Sequence, residues 1–144
     1  MLPLMGIIPP ARLCRFSLKE SLEEIMLKGL LLKESLKDER ILSRVRITAS
    51  ETWNVQNAAE NQPAVWTALS FETEDDQAVA FCAELSGVLH AQGWYVDAAT
   101  TTHTYVIFPG KVFCYPRGDA LQRAAAQQFG RSLGIPEAQL DWGE

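Results

Sequence analysis

Residues 64–93 read AVWTALSFETEDDQAVAFCAELSGVLHAQG, a stretch in which the periodicity changes from that of a strand to that of a helix. Side chains alternate up to Phe71, which predicts a strand that places Leu69 on one face and Trp66 on the other. Thr73 and the carboxylates that follow it are typical of a helix start. Apolar residues then recur at helical spacing, at Val79, Cys82, Leu85, Val88 and Leu89. The stretch therefore predicts a strand that leads directly into an amphipathic helix.

Strand and helix patterns also flank this stretch on both sides. Alternating side chains predict four more strands, at residues 45–53, 94–99, 103–108 and 111–115. A turn at Pro109-Gly110 joins the last two strands. Helical spacing predicts a first helix that begins at Ser17 and continues through Met26, and Gly29 then interrupts the pattern. It also predicts a last helix that begins at Asp119, whose side chain caps it.

The predicted elements follow the order helix, strand, strand, helix, strand, strand, strand, helix. Helices do not alternate singly with strands, which disfavours a doubly wound parallel sheet. We therefore expect an α+β fold with a mainly antiparallel sheet of four to five strands and two or three helices packed on one face. The order of elements between residues 65 and 133 is partly ferredoxin-like.

The chain of 144 residues has the length of one ordinary domain. We expect residues 26–144 to form this domain, and residues 1–25 have two interpretations. In the first they are a tail, whose segment Ser17-Leu18-Lys19-Glu20 matches a helix capping box. In the second, the codons for residues 22–25 are the purine-rich ribosome-binding site of a bacterial gene. The natural chain would then begin at Met26, and residues 1–25 would be a non-native extension.

Charge and cysteine content exclude several classes of protein. The net charge is −5, and residues 51–144 hold four basic and twelve acidic side chains, which argues against nonspecific binding of nucleic acid. Three widely spaced cysteines form no disulfide framework, and two histidines without a CxxC motif indicate neither a zinc site nor any other metal site. The short apolar runs do not predict a membrane span. We expect a cytoplasmic, bacterial-type protein without a cofactor.

Cys114, His103 and Asp97 are the candidate catalytic residues. In a two-residue hairpin Cys114 lies opposite Tyr105, and His103 lies diagonal to Cys114 on the same face. A cysteine nucleophile needs a neighbouring base to lower its pKa, and Asp97 on the preceding strand would orient the imidazole. Without a visible oxyanion-hole loop, a buried cysteine beside a surface histidine is the simpler interpretation.

Three tryptophans, Trp66, Trp53 and Trp142, are the candidate partner-binding residues. If Leu69 and Phe71 face the helices, Trp66 lies on the opposite face of the sheet. A sheet face that carries tryptophan is typical of a contact surface for a protein partner or a second copy of the chain. The competing interpretation is that the N-terminal segment or the C-terminal tail covers this sheet face.

No motif in the sequence is specific for one activity. We expect a non-enzymatic binding or regulatory module that acts through a sheet face, on a protein partner or by self-association as a homodimer. The alternatives are a small cysteine-dependent enzyme and a small-molecule-binding domain, because a pocket between a sheet and its helices leaves no linear signature.

Overall fold

The computed structural model describes residues 26–54, 63–91 and 93–143, in which six strands and two α-helices are present. The strands are β1 (Met26–Leu32), β2 (Arg46–Asn54), β3 (Val65–Glu74), β4 (Val96–Ala99), β5 (His103–Phe108) and β6 (Lys111–Pro116). The helices are α1 (Ala78–Val88) and α2 (Ala120–Ser132). No helix in these residues is long and apolar enough to cross a membrane.

All six strands belong to one sheet in the order β2-β3-β1-β4-β5-β6, and every pair of neighbours is antiparallel. The prediction of an α+β fold with an antiparallel sheet is confirmed. The prediction of four to five strands is wrong by one strand. The additional strand is β1, which lies in the centre of the sheet between β3 and β4.

The segment Met26–Leu32 was not predicted as a strand because its apolar residues do not alternate with polar ones. A central strand that is covered on both faces has such a continuous apolar pattern, which does not distinguish it from a buried helix. Lys28 and Gly29 are the exceptions to the pattern. Lys28 is exposed, whereas packing requires a glycine at position 29. A Cβ atom at Gly29 would lie 2.6 Å from the Ala98 Cβ and 2.8 Å from the Phe71 ring. The predicted helix start at Ser17 lies outside the described residues.

The two helices pack on opposite faces of the sheet, which corrects the expectation of helices on one face. Phe81 and Leu85 of α1 belong to a core cluster with Ile107 of β5. Ala126 of α2 belongs to a second cluster with Phe108, the next residue of the same strand. Successive side chains of a strand point to opposite faces, so the clusters lie on different sides. We call these sides the α1 face and the α2 face.

The crossover through α1 joins two strands that are not neighbours. Strands β3 and β4 are parallel, because each is antiparallel to β1 between them. A split β-α-β unit of this kind also occurs in ferredoxin-like folds. Here the strand between the two is β1, which precedes both in the chain, whereas β5 lies on the outer side of β4. The partly ferredoxin-like order is therefore not confirmed.

The boundaries of α1 differ from the prediction. Thr73 pairs with Leu27 within the sheet, so it does not cap the helix, and α1 begins at Ala78. Val79, assigned to the buried stripe, is 73% exposed. The buried side of α1 is formed instead by Ala78, Phe81, Cys82 and Leu85.

The predicted hairpin and the start of the last helix are confirmed. Phe108 pairs with Lys111 across a two-residue turn, in which Gly110 has a φ of 79°. The amide of Gly110 donates a hydrogen bond to the Ser86 carbonyl at the end of α1, at 3.0 Å. The Asp119 carboxylate accepts from the Gln122 amide at 3.1 Å, which caps α2.

Candidate functional site

The structure brings two of the three candidate catalytic residues to one face. Cys114 pairs with Tyr105, as predicted for a two-residue hairpin, and His103 pairs with Pro116. Both Cys114 and His103 therefore lie on the α1 face, diagonal to one another. The Cys114 thiol is exposed, and the His103 Nδ1 lies 2.9 Å from the Thr102 hydroxyl oxygen.

Asp97 lies on the other side of the sheet from these two residues. It pairs with Val106 on β5, whereas its neighbour Ala98 pairs with Tyr105. The Asp97 carboxylate is therefore on the α2 face, where the sheet separates it from Cys114 and His103. The sequence alone does not show on which face Asp97 lies, because this depends on the register in which β4 pairs with β5. In this structure Asp97 does not orient His103.

Trp66 and Trp53 form a cross-strand pair on the α2 face. Trp66 is only 7% exposed, because it packs against Trp94 with 5.4 Å between the ring centroids. Trp53 lies on the edge strand β2, all of whose residues are exposed, and 37% of its own surface is accessible. The pair therefore combines a buried ring with an accessible one.

Trp142 belongs to the C-terminal segment that follows α2, residues 133–143, and is packed into the protein. It is 4% exposed, and its indole Nε1 donates a hydrogen bond to the Tyr115 hydroxyl at 2.8 Å. Its ring lies edge-on to Tyr95, with 5.2 Å between the centroids. The Arg123 side chain of α2 donates to the Trp142 carbonyl at 2.6 Å. These contacts hold the C-terminal segment against α2 and the sheet.

A pocket with a volume of about 260 Å³ lies between Trp53 and the C-terminal segment on the α2 face. We call it the aromatic pocket, because four of its lining residues are aromatic: Trp53, Trp66, Trp94 and Tyr95. Leu30 and Leu32 of β1 also line it, and Asp97 and Asp141 add two carboxylates. Two of the three candidate partner-binding residues and one candidate catalytic residue thus meet at one site.

The N–H and O–H donors of three lining aromatic residues are used inside the protein. The Trp66 Nε1 donates to the Pro63 carbonyl at 2.7 Å, and the Trp53 Nε1 donates to the Glu51 carboxylate at 3.0 Å. The Tyr95 hydroxyl donates to the Gln139 carbonyl. These three rings are therefore held in place by their polar atoms and can offer a ligand their apolar surfaces and π faces.

Asp97 is a half-buried carboxylate in this aromatic environment. Burial raises its pKa to about 6, and the negative charge of Asp141 adds to the rise. Its cross-strand neighbours on both sides, Leu30 and Val106, are apolar and provide no counter-charge. In proteins generally, ionisable groups with such shifts are concentrated at functional sites.

The C-terminal segment is fixed by several contacts, so the wall that carries Asp141 has a defined position. Besides the bond from Tyr95, the Gln127 side chain of α2 donates to the Leu140 carbonyl at 3.1 Å. Leu140 is 3% exposed and belongs to the cluster under α2. Asp141 follows directly, and its charge reaches both Asp97 and Tyr95, whose pKa values it raises.

Sequence reasoning missed Trp94, Tyr95 and Asp141 as members of this site. Trp94 and Tyr95 precede β4 and are far in sequence from Trp53, so no local spacing connects them. Asp141 was not singled out because it lies in a tail without periodicity. The sequence offered one indication of the site: the three tryptophans within predicted strands, Trp53, Trp66 and Trp94, all line the pocket.

Comparison with protein-family models, with curated proteins and with solved structures gave no match for this chain. No group of three or more His, Cys, Asp or Glu side chains in the described ranges is arranged to hold a metal ion. The interpretation of the aromatic pocket therefore depends on its own geometry.

Proposed function

We propose that this chain is a non-enzymatic binding or regulatory module whose contact site is the aromatic pocket on the α2 face. The observation that supports the proposal is the convergence of four aromatic rings from β2, β3 and the approach to β4 around one pocket. Tryptophan and tyrosine contribute large contact areas with little loss of side-chain entropy, and they are enriched at interaction hot spots.

The position of the pocket favours a protein partner. Trp53 lies on an edge strand whose residues are all exposed, so a large partner has access to one wall of the pocket. At about 260 Å³ the pocket is smaller than the roughly 300 to 1,000 Å³ of typical small-molecule sites. This size suits one inserted side chain better than a nucleotide or an organic cofactor, and a second copy of the chain is one such partner.

The proposal includes a cytoplasmic location and excludes general nucleic-acid binding. An exposed free thiol at Cys114 is compatible with a reducing compartment. Nucleic-acid binding would need basic side chains near the rings. The pocket instead carries two carboxylates, and its exposed edge carries a third, Glu51.

A peptide-library selection with two matched variants tests the proposal. Trp53 and Ile47 are both 37% exposed on β2, but they lie on opposite faces. We expect the native chain and Ile47→Ala to enrich the same peptide sequences, and Trp53→Ala to lose them. Light scattering on the native chain and the two variants measures the solution mass, which tests in the same way whether the partner is a second copy of the chain. Enrichment and solution mass that are unchanged in Trp53→Ala would remove the pocket from the proposal.

The cysteine-dependent enzyme is the second candidate, and the exposed Cys114 diagonal to His103 favours it. Rapid reaction of Cys114 with iodoacetamide near neutral pH, slowed in His103→Ala, would support an activated thiolate. Reaction at the rate of a free thiol in both proteins would leave Cys114 without a catalytic base.

A further inference from the structure

We propose that the aromatic pocket binds a lysine or arginine side chain of the partner protein. This inference rests on the proposed function and adds to it the chemistry of the recognised group. It follows from what the pocket offers a ligand, which is π faces and carboxylates.

The charged side chains that line the pocket are two carboxylates. The donors of Trp53, Trp66 and Tyr95 are already bonded within the protein. The carboxylates of Asp97 and Asp141 line the pocket and accept hydrogen bonds. A ligand that satisfies this arrangement must donate hydrogen bonds, and a positive charge on it makes these bonds shorter and stronger.

The aromatic rings favour the same kind of ligand. The face of a tryptophan or tyrosine ring attracts a lysine ammonium or an arginine guanidinium, and cages of such rings recognise organic cations. The alkyl part of a lysine or arginine side chain can contact Leu30 and Leu32, which also line the pocket. A long side chain with a cationic end therefore matches both the apolar and the acidic parts of the lining.

Of three basic residues on the α2 side of the sheet, Arg123 and Arg46 have other contacts. Arg123 donates to the Trp142 carbonyl and lies over the Trp142 ring, 6.0 Å from its centroid. Arg46 forms an ion pair with Glu72 on the α2 face. Lys28 is diagonal to Asp97 in the register and is exposed. Among the described residues, none of these three cations lines the pocket.

The charges around Asp97 also predict how binding depends on pH. The groups that face Asp97 are Leu30 and, on the diagonal, Lys28 from β1, Val106 from β5 and Asp141 from the C-terminal segment. Tyr95 lies near both Asp141 and Arg123. A bound cation favours the ionised carboxylate, so binding and protonation of Asp97 oppose one another. With a pKa of about 6 for Asp97, we expect affinity to be highest above pH 6 and to fall below it.

The test uses acetylated pentapeptides of the form Gly-Gly-X-Gly-Gly with an amidated end. The residue X is lysine, arginine or one of their neutral analogues, norleucine and citrulline. Binding is followed on the full chain by the NMR signals of the four tryptophan indole N–H groups. We expect the lysine or the arginine peptide to shift the indole signals of the pocket saturably, with at least tenfold weaker binding of its neutral analogue.

Two variants separate the charge of the pocket from the charge of the whole chain. Asp97→Asn removes one negative charge from the pocket and keeps the shape of the side chain. Asp76→Asn removes one from the exposed residues before α1, on the opposite face of the sheet. We expect at least tenfold weaker binding of the cationic peptide to Asp97→Asn and unchanged binding to Asp76→Asn.

The outcomes distinguish this inference from the proposed function. Equal binding of neutral and cationic peptides at the pocket would overturn the choice of a cation but would support the pocket as a contact site. Binding of butylammonium or guanidinium ions as tight as that of the peptides would identify a small-molecule site and overturn the choice of a protein side chain. The absence of any saturable shift with the four peptides would also overturn the inference. Library binding that is independent of Trp53 would contradict the proposed function itself.

Discussion

The two faces of the sheet are built from the same strands but have different chemistry. The α1 face is a continuous apolar core in which Leu31, Phe71 and Ile107 pack against α1 with exposures of 2% or less. On the α2 face, α2 and the C-terminal segment pack over β5 and β6, and the pocket between them and β2 contains two carboxylates. The half-buried Asp97 carboxylate opposes folding when it is ionised, so we expect the two faces to differ in their contribution to stability.

The largest effect that we expect from a single substitution is on the α1 face. Phe81 is 1% exposed and packs against the Phe71 ring with 5.5 Å between the centroids. Phe81→Ala removes these contacts and leaves a cavity, so we expect the free energy of unfolding to fall by about 3 to 5 kcal/mol. Urea denaturation followed by circular dichroism measures the loss. A loss of less than about 1 kcal/mol would mean that the α1 face is not the main core.

The next effect is an increase in the free energy of unfolding, and it arises on the α2 face. Folding raises the pKa of Asp97 to about 6, so the folded state binds its proton more tightly than the unfolded state. This carboxylate therefore reduces stability as the pH rises from about 4 to 6. We expect Asp97→Asn to raise the free energy of unfolding at pH 7 by up to about 3 kcal/mol.

The pH dependence of this increase in unfolding free energy is the control for the prediction. At pH 4 the wild-type carboxylate is protonated in the folded state and partly protonated in the unfolded state, so the advantage of Asp97→Asn should be much smaller there than at pH 7. Urea denaturation at pH 4 and pH 7 on both proteins gives the comparison. A variant that is less stable than the wild type at pH 7 would show that the ionised Asp97 stabilises the fold, contrary to the direction of its pKa shift.

The sequence was sufficient for the elements whose signals are local. The Asp119 cap, the Pro109-Gly110 hairpin and the face of Trp66 all follow from spacing within a few residues. The strand Met26–Leu32 could not be assigned in this way, because a short apolar run is compatible with a helix as well as with a central strand.

The site required information that spacing does not contain. The aromatic pocket joins residues 53, 94 and 141 through the order of strands and the path of the C-terminal segment. Whether Asp97 and Cys114 share a face depends on the register of β4, β5 and β6. The two residues lie on opposite faces, whereas the catalytic hypothesis required them on the same face. The face on which α2 packs is likewise set by long-range contacts, which the apolar stripe of a helix does not specify.

A smaller effect is expected where the C-terminal segment docks on the α2 face. Trp142→Phe keeps most of the ring contacts but removes the hydrogen bond from the indole Nε1 to the buried Tyr115 hydroxyl. The Tyr115 oxygen then loses this donor, and we expect a loss of about 1 to 2 kcal/mol of unfolding free energy. Tyr115→Phe in the same background measures the coupling, since a second substitution should cost little once the bond is gone.

The smallest effect that we expect is the stability change in Trp53→Ala. Trp53 lies on an edge strand with 37% of its surface exposed, as does Ile47 on the other face. Both alanine variants should therefore lose about 1 kcal/mol or less in urea denaturation. If Trp53 contributes to binding, Trp53→Ala loses the peptide-dependent NMR shifts and Ile47→Ala keeps them. The two variants then still unfold at similar urea concentrations. A much larger loss of stability in Trp53→Ala than in Ile47→Ala would make Trp53 part of the core, and the α2 face would then resemble the α1 face in being primarily structural.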